Sequence, residues 1–271
     1  MNVLEHKNLV KRINECRRAY LLCIFKNVST KLFFTNYSGH SFRGIIGFGK
    51  LIDLNSTYYV ADYYDTRVIM FDENWNYLAY KSFSNPCYII TVNCTLYITG
   101  DNNVFKTDKD LNILKQFNAS GSPLYRGIEF NQSNKVIFVA SCTYPRIDIF
   151  DLNLTLSDNI NTSPYRPYAL HINENLLYAG DSVNGYVLLI WNKAIINVFR
   201  GCSSAYVTGI LIDIYGFIAT SCFNFAKLNL TQLNGTSTGL SINTPSSPFT
   251  INFDSKGLLI QISLSQISIF I

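Results

Sequence analysis

Four short stretches set tyrosine beside or close to arginine: Tyr63, Tyr64 and Arg67; Tyr125 and Arg126; Tyr144 and Arg146; Tyr165, Arg166 and Tyr168. Both residue types join a large contact area to a polar end, and they are enriched where interface binding energy concentrates. The chemistry they suggest is recognition. Catalytic arrangements are harder to find. The three histidines, His6, His40 and His171, lie far apart, and the seven cysteines form no CxxC pair. No GxSxG elbow, GxGxxG loop or phosphate-binding loop occurs. Asp62, Asp101, Asn102, Asn103 and Asp181 could offer oxygens to a calcium ion. In turns, however, Asx side chains usually bond their own backbone.

The segments that carry these clusters recur. A ten-residue pattern begins at Tyr59, Tyr97, Phe138, Tyr178, Phe217 and Leu258, at spacings of 38 to 41 residues. Each copy follows a second apolar run and a turn, and the first five are followed by two further short runs. Four short strands in about 40 residues is the repeat of a β-propeller blade, with strands A to D running from the centre outward. Five units are complete, at 45–83, 86–118, 125–160, 167–200 and 206–242; a sixth has three strands. The orphan run Lys31–Ser38 would supply its fourth and leave no open edge.

The expectation is therefore an all-β, six-bladed β-propeller with four-stranded blades over 31–271, closed by an N-terminal strand. A basic arm, 1–30, precedes it. In that arm Ala19–Phe25 follows Arg17 and Arg18; the segment reads as a short amphipathic helix or as a shortened targeting segment. The Tyr and Arg clusters then share one end of the propeller, on the B-to-C and D-to-A loops. Arg67 and Arg146 also suit blade packing against acids such as Asp62. Arg126 and Arg166 have no counterpart in the other repeats, which makes them the stronger binding residues.

Composition narrows the partner. Of 271 residues 48% are hydrophobic and 15% charged, against about 25% charged in an average chain, which excludes a disordered protein. Residues 1–50 hold nine Lys or Arg against two acids, and the remainder thirteen against sixteen. A slightly acidic body without a basic stripe excludes nucleic-acid binding. No apolar run reaches the ~18 residues of a transmembrane helix. A monomer binding a protein, peptide or glycan, without a cofactor, is expected.

The unit YVADYYDTRVIMFD resembles the NHL repeat at Tyr59, Val60, Ala61, Asp62, Arg67, Val68, Phe71 and Asp72, and more weakly at Arg146, Ile147, Phe150 and Asp151. Asp65 stands where that family usually has Asn. The resemblance implies a propeller with a binding role. Its alternative is a propeller hydrolase or lyase, lactonase-like or amidating-lyase-like, with a divalent metal at the channel mouth. The amidating-lyase branch needs His ligands on the B-to-C loops, where this sequence has none.

Ten Asn-x-Ser/Thr sequons occur, about twice what composition alone gives. Asn55, Asn93 and Asn131 fall in expected A-to-B turns, and Asn153, Asn229 and Asn234 in C-to-D turns, all at the end opposite the arginines. This predicts a secreted protein or ectodomain carrying glycans. An odd number of cysteines leaves at least one unpaired; Cys202 and Cys222 are placed to pair, with buried free thiols as the alternative.

Overall fold

Short apolar runs separated by Asx-rich turns fold as antiparallel strands. The computed structural model describes residues 57–253 except 205, 213–215 and 245–246; beyond them it describes the strands Thr30–Phe34, Asn36–Tyr37, His40–Ser41, Ile45–Lys50, Leu259–Ser263 and Gln266–Phe270. Five blades each use four consecutive strands, A to D. Blade I comprises Ile45–Lys50, Tyr58–Asp62, Arg67–Phe71 and Tyr77–Ser82. Blade II comprises Ile89–Val92, Thr95–Thr99, Asn103–Thr107 and Ile113–Asn118. Blade III comprises Tyr125–Asn131, Val136–Ser141, Arg146–Phe150 and Leu156–Asn161. Blade IV comprises Pro167–Asn173, Leu176–Asp181, Tyr186–Trp191 and Ala194–Arg200, and blade V Val207–Ile212, Phe217–Cys222, Lys227–Gln232 and Ser237–Asn243.

Pro248–Phe253, Leu259–Ser263 and Gln266–Phe270 continue the rhythm, but their sheet takes its fourth strand from a distant segment. Thr30–Phe34 pairs antiparallel with Gln266–Phe270, Leu32 opposite Ile269. Pro248–Phe253 touches strand A of blade V on one side and strand A of blade I on the other. The expectation of six blades behind a short helix is thus corrected. Five blades are built from consecutive strands, and the remaining sheet is a composite of two segments far apart in sequence. No α-helix occurs among the described residues, whose one helical turn is the 3-10 turn Phe223–Phe225. The arm assigned to the helix lies outside the described residues.

Burial falls outward from strand B. Strand B of blade I is buried throughout, strand C in part, and strand D faces solvent along most of its length. Neighbouring blades cover both faces of a B strand, so its sequence reads as a continuous apolar run rather than an alternation. The C-to-D turns of blades I, II and III are built on one pattern. Asp72 Oδ1 accepts from the amides of Asn74 (2.9 Å) and Asn76 (2.8 Å), and Asp108 and Asp151 do the same for Asp110 and Asn112 and for Asn153 and Thr155. The residue between each pair of amides has positive φ: Trp75 at 65°, Leu111 at 62°, Leu154 at 55°.

Strand A carries a register shift near its start, between its first and fourth residues in blade III and its first and third in blades IV and V. A bulge of this kind turns the extra residue out of the pleat. It falls on Arg126, Tyr168 and Thr208. The residue after Arg126 is Gly127, where a Cβ would stand 2.5 Å from the Tyr168 carbonyl oxygen and 2.8 Å from the Leu170 amide nitrogen. Only glycine lets these two A strands approach so closely.

Candidate functional site

The bulged residues meet at the end of the molecule where the B-to-C and D-to-A loops open. Tyr88, on the equivalent step of blade II, reaches across the ring. Its hydroxyl donates to the Thr208 carbonyl of blade V and lies 3.3 Å from the Phe249 carbonyl. Its ring meets that of Tyr168 edge-on at 6.2 Å. Burial pushes the Tyr88 phenol well above its ordinary pKa, as it does that of Tyr168. Aromatic side chains therefore span the centre.

Beside them lies a buried polar cluster. Arg126 is 8% exposed. Its Nη1 donates to Asp101 Oδ1 (3.0 Å), the Tyr125 carbonyl (2.9 Å) and Cys87 Sγ (3.1 Å), and the guanidinium lies 5.3 Å from the centre of the Tyr63 ring. Tyr63 donates to both Asp101 oxygens (2.9 and 3.1 Å), and Asn85 adds a third donor at 2.7 Å. Burial, then the hydrogen bond to Asp101, pushes the Tyr63 phenol up to about 12. Burial likewise pushes the Cys87 thiol to about 12, so it stays protonated and unreactive at neutral pH.

The carboxylates that a channel-mouth metal would draw on are already engaged. Asp62 pairs with Arg67 at 3.0 Å, and Asp65 pairs with the same arginine at 2.6 Å. Asp101 belongs to the Arg126 cluster. Asp181 accepts from the amides of Arg166 (3.0 Å) and Asn184 (2.7 Å), and Asn103 Oδ1 accepts from Gln116 (3.1 Å). His171 sits in strand A of blade IV, 3.7 Å from Glu129. Among the described residues no three His, Cys, Asp or Glu side chains group as metal ligands.

The structure divides the Tyr and Arg residues in two. Tyr125 is fully buried, its hydroxyl 2.5 Å from Asp148; Arg126 is buried and Arg67 partly buried in ion pairs, and Tyr63 is packed beneath Arg126. Tyr64, 62% exposed, and Tyr144, 39% exposed, stand on the surface. Arg146 lies over the Tyr144 ring at 5.4 Å and pairs with Asp148 at 2.9 Å. Tyr165 is half-buried, edge-on to Tyr186 at 5.9 Å, and Arg166 is exposed. The sequence reading missed Val183, Tyr206 and Phe225, each more than 40% exposed on the same loops. Their signal was position: Val183 and Phe225 follow strand B by two or three residues, as Tyr64 and Tyr144 do. The result is an apolar, cation-bearing rim around a closed centre.

No protein family and no curated protein matches the sequence. Many solved structures resemble the fold, among them a streptogramin B lyase, at 13% identity and TM-score 0.70, over 92% of this chain and 99% of that one, and the WD40 β-propeller domain of Doa1, at 10% identity and TM-score 0.67, over 90% and 97%. The fold is a β-propeller. At such identities the likeness carries the fold alone, and of these two one is a lyase while the other is a WD40 domain.

The sequons are divided between the two ends of the propeller: Asn118 and Asn161 are exposed where strand D of blades II and III ends beside the rim, and others lie in turns at the opposite end. Asn93, Asn153 and Asn234 are exposed in turns. Asn131 is 6% exposed, with its Oδ1 accepting from the amides of Ser133 and Asn134. Asn229 is within strand C of blade V, its amide donating to the Gly201 carbonyl at 3.0 Å, and Asn55 lies outside the described residues. Cys202 and Cys222 are joined by a disulfide, Cα atoms 5.6 Å apart. Among the described residues no helix is long and apolar enough to cross a membrane.

Proposed function

We propose that this chain is a non-catalytic, NHL-like binding propeller that recognises a protein partner through the rim formed by its B-to-C and D-to-A loops. The observation that carries the reading is the rim itself. Tyr64, Tyr144, Val183, Tyr206 and Phe225 expose large apolar surface on loops from four blades, beside the exposed Arg166. Exposed apolar surface gathered on one face is a mark of association. The carboxylates that a lyase or hydrolase would turn on a metal are held instead by Arg67, Arg126 and backbone amides. The NHL likeness draws support from blade I, where its Asp62 and Arg67 form an ion pair and its Asp72 organises the C-to-D turn.

The same reading puts the chain in an oxidising compartment, as a secreted protein or ectodomain. The Cys202–Cys222 disulfide and the exposed sequons at Asn93, Asn153 and Asn234 support it. A photo-crosslinking residue placed at Tyr144, with a control at Asn153 on the opposite end, tests the rim in native extracellular fluid. A discrete adduct from position 144 alone is expected. An adduct from position 153 alone, or activity lost on chelation of divalent ions, would overturn the reading.

A further inference from the structure

Two blade interfaces fill one recess in the same way. A strand-B tyrosine reaches the C-to-D turn of the following blade: Tyr59 donates to the Lys109 carbonyl at 2.7 Å, and Tyr97 to the Leu152 carbonyl at 2.8 Å. From each turn a leucine held at positive φ enters the interface. Leu111, 1% exposed, packs with Tyr59, and Leu154, 2% exposed, packs with Tyr97.

Both parts change between blades III and IV. The strand-B position equivalent to Tyr59 and Tyr97 is Phe138, which has no hydroxyl to donate. The C-to-D turn of blade IV is the two-residue Asn192-Lys193 at φ 46° and 64°, too short to present a leucine. What remains is a recess of about 390 Å³. Its apolar lining includes Val136, Phe138, Leu177 and Ile190; Asn134, Asn175 and Asn192 contribute carboxamides. The ion pair between Lys193 and Asp158 joins the two blades beside it.

We infer that this recess is a binding site for a leucine-centred turn of another polypeptide. The two neighbouring interfaces show what fits such a place: a branched apolar side chain on a polar turn whose backbone stays hydrogen-bonded. A deleted leucine alone leaves roughly 150 Å³. The larger volume here admits the side chain together with flanking backbone, and it falls within the range of ligand pockets. Carboxamides offer a donor and an acceptor each, which match peptide groups. The Lys193–Asp158 pair adds no net charge, so the apolar side chain rather than a charge carries the affinity. The site lies at the end opposite the rim and does not depend on the rim's function.

The probe is the capped hexapeptide with the sequence of residues 151–156, the segment that fills the recess between blades II and III. Titration calorimetry and methyl NMR of the intact chain should show saturable binding, with shifts at Ile149, Leu177 and Ile190. Replacing the peptide's fourth residue, leucine, with alanine should weaken binding at least tenfold. Asn175→Trp, on the exposed A-to-B turn of blade IV, should abolish it; Ser157→Trp serves if that variant does not fold. Rim variants such as Tyr64→Ala should leave it unchanged. Equal affinity for the alanine peptide, undiminished binding by a folded Asn175→Trp protein, or no saturable binding at millimolar peptide would each overturn the proposal.

Discussion

The dipeptide Tyr-Arg occurs twice, and its two copies meet opposite fates. Tyr125 and Arg126 are buried, whereas Tyr165 is half-buried and Arg166 exposed. Register accounts for the difference. Tyr125 pairs with Ser141 at the end of strand B, and in the next blade the residue pairing with the end of strand B is Pro167, opposite Asp181. Arg126 is therefore equivalent to Tyr168, and the second Tyr-Arg stands two residues earlier, in the loop. The bulge turns Arg126 inward to Asp101, while Arg166 anchors by its backbone and leaves its side chain outside. Position relative to the bulge, rather than residue type, separates buried scaffold from exposed rim.

The largest effect should come from breaking the inner copy. Asp101→Ala would leave the Arg126 guanidinium buried without its carboxylate, a change that costs about 3–5 kcal/mol when one partner of a buried pair is removed. Denaturant unfolding should show a midpoint shift of that size; a shift below about 1 kcal/mol would mean that Arg126 reaches solvent. Gly127→Val should follow, at about 1–3 kcal/mol, because its side chain would collide with backbone of blade IV that cannot yield.

Tyr63→Phe should cost about 1 kcal/mol through the lost hydrogen bonds to Asp101. It also has a pH signature. The Tyr63 phenol is raised to about 12 in the fold, above its unfolded value near 10. Its contribution is complete below pH ~10 and is lost as pH rises through about 12. Alkaline unfolding of Tyr63→Phe should accordingly be less steep than that of the parent, and identical slopes would remove the phenol from the network. The outer copy should barely register: Arg166→Ala is expected within about 0.5 kcal/mol of the parent.

Much of this architecture was legible. Repeats near 40 residues and apolar B strands follow from covering each blade on both faces, and a disulfide between Cys202 and Cys222 joins the two positions singled out by spacing. The separation of Arg126 from Arg166 was not legible, because both follow tyrosine and the bulge that distinguishes them appears only as a register shift. Val183 and Phe225 escaped for a different reason: neither residue type signals recognition, and only their loop position marks them. The recess beside Phe138 depends on a missing hydroxyl and a shortened turn, features visible only when three blades are superposed.

The proposed function assigns binding to the rim and leaves the buried Arg126 cluster to the scaffold. Its most direct test is the affinity of the crosslinked partner, once isolated, for the Tyr64→Ala, Tyr144→Ala, Arg166→Ala triple variant against the parent, with both melting alike. Loss of anchors of this kind, about 2 kcal/mol or more at a central position, should weaken binding well beyond tenfold. Unchanged affinity in a triple variant of parental stability would contradict the account.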